Sequence, residues 1–189
     1  MTHNKPALTA EFANLAKRIP VGISSCLLGE NVRYDGGHKY HHNIAYALGQ
    51  YFEFHSFCPE VSIGLGVPRE PVRLLLNGNE VRCIGTQTRD LDVTEQLVQC
   101  GLEQQKWLQG MYAYIFKQGS PSCGLDSAKI FREGELEICG TGLYADTVLT
   151  LFPELPVAEE RQLDTPEQLK QFIQRVLDYQ RKRDTQGGE

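Results

Sequence analysis

Strand-like apolar runs that stop at turn-forming residues, and alternate with helical segments, constrain this chain more than any other feature. "IPVGISSC" reads as a short buried strand running into the glycine-containing turn "LLGENVRYDGG". "HHNIAYALGQYF" suits a short helix with Ile44, Ala47, Leu48 and Tyr51 on one side, and the aromatic-rich "FEFHSFC" follows as a second strand. "PVRLLLNGNEVRCIG" reads as a hairpin, because "NGN" separates two β-type runs. "MYAYIFK" is the next strand, "AKIF" and "ELEICG" pair around "REGE", "TGLYADTVLTLF" is helical, and "LPVAEE" is a short last strand.

Two further segments carry helix-end signals. In "LDVTEQLVQCGLEQQKWLQG" Asp92 is the expected N-cap and Glu95 occupies the capping-box position, while Leu97, Cys100, Gly101 and Leu108 share a face. In the last helix Thr165 is the cap, Pro166 takes the first position and Gln168 completes a capping box. Leu169, Phe172, Ile173, Val176 and Leu177 form its apolar stripe. Strands alternating with helices imply an α/β chain: a Rossmann-like three-layer domain whose mostly parallel sheet is covered on both faces. In such folds ligands collect outside the carboxyl ends of the strands.

The 189 residues suffice for one domain, assigned to residues 21–183, with 1–20 as an N-terminal extension and 184–189 as a flexible tail. A formal charge of −5 argues against a surface built for non-specific duplex binding. No segment is apolar and long enough to span a membrane, and the N-terminus lacks a secretory pattern. A cytoplasmic location follows, where thiols stay reduced, so the six cysteines read as ligands, nucleophiles or core filler rather than disulfides.

Three of the cysteines stand at strand ends. Cys26 ends the first strand, Cys58 ends the second, and Cys123 follows "YAYIFK" by a turn. If those strands are parallel neighbours, all three thiols face one crevice, and the turns beside them let backbone approach a bulky ligand. Cys83 and Cys139 lie inside strand-like runs and Cys100 on a helix face, where a free cysteine is ordinary core material. No C-x-x-C pair exists, so the zinc-ribbon spacing is absent. Residue pattern alone leaves two readings, a three-thiolate metal site or small buried residues in strand-to-turn transitions.

"GISSCLLGENVRYDGGHK", "FCPEVSIGLGVPREPVRL" and "QGSPSCG", in this order, resemble the TudS-type thiouracil desulfidase family across about Val21 to Leu163. Relatives with the "GLGVPREP" wording often continue into a helical second domain, so this chain resembles a single-domain form. The resemblance implies a 4Fe-4S cluster held by Cys26, Cys58 and Cys123, with one iron open. Thiolates suit such clusters, and an open iron is a Lewis acid for a thiocarbonyl sulfur, so that water replaces sulfur without net redox change. The implied substrate is a thiolated base or nucleoside: 4-thiouracil or 4-thiouridine, free or within tRNA, or 2-thiouracil.

Around the cysteines, Glu60 is the nearest carboxylate in sequence and is assigned as general acid or base, or as a structural partner of Arg69 or Arg73. Ser120 and Ser122 either bond the substrate or bond their own backbone, and Ser24 and Ser25 stand in the same position. Asp35 either orients the substrate or closes an Asx turn. Arg69 and Arg73 either contact substrate or pair with Glu60 or Glu70. Lys39 and the Arg181-Lys182-Arg183 run supply possible phosphate contacts. His38, His41 and His42 show no ligand spacing. Two other readings compete: a metal or iron–sulfur binding and sensing module, closed by a fourth ligand such as Cys83 or Cys139, and a cysteine-nucleophile enzyme pairing Cys123 with His55.

Overall fold

The computed structural model of the protein describes residues 17–88 and 90–186. Its centre is a four-stranded parallel sheet in the order β2-β1-β5-β8, built from β1 (Ile19–Ser24), β2 (Phe52–Phe57), β5 (Tyr114–Phe116) and β8 (Val157–Glu159). A second four-stranded sheet, β4-β3-β6-β7, is mixed. Its two hairpins are β3 (Val72–Asn77) with β4 (Glu80–Gly85), and β6 (Ala128–Arg132) with β7 (Glu135–Gly140), joined by parallel pairing of β3 with β6. The chain is α/β with a mostly parallel central sheet between helical layers, as the alternation of elements implies.

Alternation along the central strands divides the core. Ile19, Val21 and Ile23 of β1, with Ala113 and Ile115 around β5, face α1 (His42–Ala47) and α6 (Pro166–Gln186). Tyr114 and Phe116, one residue out of phase, face α4 (Gln105–Leu108) and α5 (Leu143–Leu151). α3 (Thr94–Glu103) serves both sheets: Cys100 packs in the cluster with Tyr114, while Leu97 packs under β3 and β4. Close approach is needed where α3 crosses α5, since a Cβ at Gly101 would lie 2.7 Å from Thr147.

The sequence signals at α6 are realised. Gln168 N donates to Thr165 Oγ1 at 3.2 Å and Thr165 N donates to Gln168 Oε1 at 2.9 Å, closing the capping box. Leu169, Phe172, Ile173 and Val176 are buried. The helix runs to Gln186, into the segment expected to be a tail, and β1 begins at Ile19, inside the expected extension.

Other local expectations are corrected. The segment after Asp92 is two helices that break at Gln104, not one. Val93 is the N-cap of α3, because Asp92 is held by Arg82 at 2.8 Å while its other oxygen accepts from Thr94 N. Glu95 points back toward Arg82 at 3.8 Å, so no capping box forms there. β1 ends at Ser24, and Cys26 sits in a 3₁₀ turn, Ser25–Leu28, that follows it.

Gly22 lets the Tyr114 ring lie across β1, since a Cβ there would stand 2.5 Å from Tyr114 Cδ2. Tyr114 is fully buried and stacked on Phe116 at 4.2 Å, so it has little room to yield. Gly22→Ala is expected to destabilise the protein by about 1–3 kcal/mol, the usual range for overpacking a core. Urea unfolding measures it.

Candidate active site

Three parallel neighbours, β2, β1 and β5, end on the same side of the central sheet, and their following turns enclose a cavity of about 400 Å³. That is ligand-sized. Cys26, Cys58 and Cys123 all line it. Cys58 is the N-cap of α2 (Pro59–Ser62), one residue beyond β2. Cys123 is reached through Lys117, Gln118 and the "GSPS" turn after β5.

The Cys123 turn is fixed by its own backbone bonds. Ser120 Oγ accepts from Ser122 N at 3.2 Å and Cys123 N at 3.1 Å, and Gly124 N donates to Ser120 O at 2.9 Å. The carbonyls of Pro121 and Ser122 take the first-turn N–H groups of α5, from Leu143 at 3.1 Å and Ala145 at 3.0 Å, donors a helix start leaves unpaired. Gly142, the N-cap of α5, must be small, because a Cβ there would fall 2.5 Å from the Ser122 carbonyl carbon. On the far side the wholly buried Glu159 accepts from Leu125 N at 2.8 Å and from the Ser127 hydroxyl.

A buried ion pair joins all three cysteine loops. Arg69 donates to Glu60 Oε2 from Nε at 3.1 Å and from Nη2 at 2.8 Å. Its Nη2 also donates to Val32 O at 3.0 Å, in the loop after Cys26. Glu60, two residues from Cys58, accepts the Ser122 hydroxyl on Oε1 at 2.7 Å, next to Cys123. Only 8% of the Arg69 side chain and 14% of that of Glu60 are exposed.

Burial disfavours ionisation of all three thiols. Burial pushes Cys26 up to about 11, against the opposing charges of Lys117 and Arg33. Burial also raises Cys58, and it raises Cys123 well above an ordinary thiol despite a hydrogen bond from Ser24. The three act on one another: a charge on Cys58 raises both Cys26 and Cys123, and one on Cys26 raises Cys123. They surround a common space, yet among the described residues no three His, Cys, Asp or Glu side chains are grouped closely enough to hold a single metal ion. Tetrahedral zinc would need sulfurs about 3.8 Å apart.

Of the residues singled out in the sequence, Ser25, Cys26, Cys58, Glu60, Arg69, Ser120 and Cys123 line the cavity, as do Ser24 and Lys39, and Ser122 stands directly behind Glu60. Asp35 does not line it: its carboxylate accepts from Gly37 N at 3.0 Å, the Asx turn. Arg73 does not line it either, and among the described residues its buried Nε has no partner, so it pairs with neither Glu60 nor Glu70. Glu70 instead accepts from the backbone of Gln87 and Thr88. Of the Arg181-Lys182-Arg183 run, Lys182 and Arg183 line a separate small groove, tied to Glu154 and to the carbonyls of Met111 and Gln109, while Arg181 pairs with Asp178. His55 is mid-strand beside Glu53, away from the cavity. Cys83, Cys100 and Cys139 also stay outside it.

Sequence reasoning missed Lys117 and its partner Glu160. Lys117 directly follows β5, so the strand-end rule that picked out the cysteines also pointed to it.

The model of the family described as 2-thiouracil desulfurase matches residues 21–160. The chain belongs to this family. Among solved structures it is similar to a 4Fe-4S-dependent thiouracil desulfidase, TudS, with 32% sequence identity and a TM-score of 0.59 over 78% of this chain and 93% of that one. No curated protein matched the chain. The matched stretch spans all three cysteine loops and every residue that lines the cavity.

Arg69→Met strands a buried carboxylate and is expected to destabilise the fold by about 3–5 kcal/mol. Combining it with Glu60→Gln is expected to recover most of that loss, and a double-mutant cycle in urea measures the recovery.

Proposed function

We propose that the protein is an iron–sulfur-dependent desulfidase that hydrolyses the C=S group of a thiolated pyrimidine. Cys26, Cys58 and Cys123 would hold a 4Fe-4S cluster with one iron left open. One observation carries this reading: three free thiols, two buried and that of Cys58 half-buried, converge on one strand-end cavity whose described lining holds no fourth cysteine and no histidine. The similar structure with the same fold is described as 4Fe-4S-dependent, which adds to it.

The residues fit such a cluster. Thiolates are its usual ligands. In a cube each thiolate would meet a different iron, so the three thiols need not lie as close together as the ligands of a single ion. Binding releases the thiol protons that burial retains. The cluster, when bound, supplies a Lewis-acidic iron for a soft thiocarbonyl sulfur.

The chain's own groups do the rest. Glu60 Oε2 is committed to Arg69; the residue lines the cavity, and its Oε1 accepts the Ser122 hydroxyl. That oxygen takes the proton of a water attacking the thiocarbonyl carbon. Ser122 and Arg69 fix its direction, Ser120 holds the backbone of the Cys123 turn, and Ser25 contributes to the wall near Cys26. One water is consumed, C=O replaces C=S, sulfur leaves as hydrogen sulfide, and no electrons are exchanged. Asp35 and Arg73 have no part in the step.

The substrate is 4-thiouracil or 4-thiouridine, as base, nucleoside or part of tRNA, or 2-thiouracil. Arg33 and Lys39 in the cavity wall favour a phosphate-bearing form. A steep fall of activity with salt is expected for such a form, and a flat profile for the free base.

Anaerobic reconstitution is expected to yield about four irons and four sulfides per chain and loss of thione absorbance from 4-thiouracil or 4-thiouridine. Glu60→Gln is expected to retain the iron and lower turnover by about 10²–10⁴-fold, the range for general-base loss. A fully loaded protein inert on every thiolated pyrimidine would overturn the proposal.

A further inference from the structure

A second buried ion pair reaches the cavity beside Cys26. Lys117 Nζ donates to Glu160 Oε1 and to Gln118 O, the latter at 2.8 Å, and Gln118 N donates to Glu160 Oε2 at 2.7 Å. The Lys117 backbone is itself anchored, with its N–H on Ser24 Oγ at 3.0 Å. Side-chain exposure is 14% for Lys117 and 11% for Glu160, so the pair is largely out of water. An ammonium has three hydrogens. Two are engaged here, and Lys117 is part of the cavity wall. The third has no acceptor among the described residues.

The other cations of that wall are differently placed. Arg69 is committed to Glu60, Val32 O and Gly66 O. Arg33 lies over the Tyr34 ring at 5.4 Å and pairs with Asp35 at 3.5 Å, and Lys39 is exposed. Only Lys117 combines burial, fixed direction and an uncommitted hydrogen. A donor of that kind discriminates strongly, because a ligand without the matching acceptor leaves it desolvated and unpaired.

We propose that Lys117 is a specificity-determining residue of this site. Its ammonium donates to the carbonyl oxygen that a thiolated pyrimidine carries on the other side of the ring N–H from the thiocarbonyl. Glu160 and Gln118 set its direction. The inference rests on reading the cavity as a pyrimidine site. It accounts for the placement of an ion pair at the β5 end, where the Cys123 turn is already held by Glu159 and by α5.

The test is binding rather than turnover. Uracil and 4-pyrimidinone, which lacks one of the two carbonyl oxygens, are titrated into the cluster-reconstituted protein by calorimetry or ligand-observed NMR. Wild type is expected to bind uracil at least tenfold more tightly. Lys117→Met is expected to abolish that preference. Because this variant leaves Glu160 buried and unpaired, Lys117→Met/Glu160→Gln is measured beside it, and the same loss is expected with thermal stability and iron content kept. If the double variant still prefers uracil tenfold, or wild type binds both ligands equally, the role of Lys117 is overturned while the cavity remains a pyrimidine site. If wild type binds neither ligand, the pyrimidine reading falls with it.

Discussion

The buried ion pair of Arg69 and Glu60 is the contact on which the site depends. Its two side chains reach the loop after Cys26 through Val32 O, the helix start after Cys58 through Glu60 itself, and the Cys123 turn through Ser122. Three loops far apart in sequence therefore share one set of hydrogen bonds. Desolvating a guanidinium and a carboxylate is unfavourable unless every partner is in place. That requirement specifies one relative arrangement of the loops, which loose apolar contacts would not.

The sheet explains why such a clamp is needed. Parallel neighbours β2, β1 and β5 bring their carboxyl ends together, but the chain leaving each strand is irregular. Secondary structure does not fix those turns, so side-chain bonds and helix starts must. Around Cys123 three devices act together: the Ser120 hydroxyl inside the turn, the first N–H groups of α5 above it, and the Glu159 carboxylate behind Leu125 and Ser127.

Two ion pairs, Arg69 with Glu60 and Lys117 with Glu160, thus contribute to a cavity wall that also holds three thiols whose ionisation burial disfavours. Each pair is close to neutral as a unit, which suits a buried place that must also accept ionised sulfur. Lys117 provides the largest favourable charge at Cys26, while a charge on Cys58 raises the cost of ionising both Cys26 and Cys123. A cationic centre among them would relieve that repulsion.

Much was legible in the chain itself. Period-two and helical patterning gave the strands, both hairpins and the capping box of α6, because these are local consequences of side-chain alternation and backbone capping. The strand-end rule gave the three cysteines a common neighbourhood. Pairing in space was not legible. Glu60 had two candidate arginines at similar sequence distance, and only the backbone path chose Arg69 and left Arg73 on β3, outside the cavity. Asp35 and Asp92 went to local turns and to Arg82, since a nearby backbone N–H or a cross-strand cation competes on equal terms with a distant site. The association of Lys117 with Glu160, 43 residues apart, likewise arises from β5 and β8 lying side by side. Sequence determined which residues could form strands, caps and a thiol-bearing edge. Tertiary structure alone decided which charges meet, because burial makes an ion pair depend on geometry that no local pattern records.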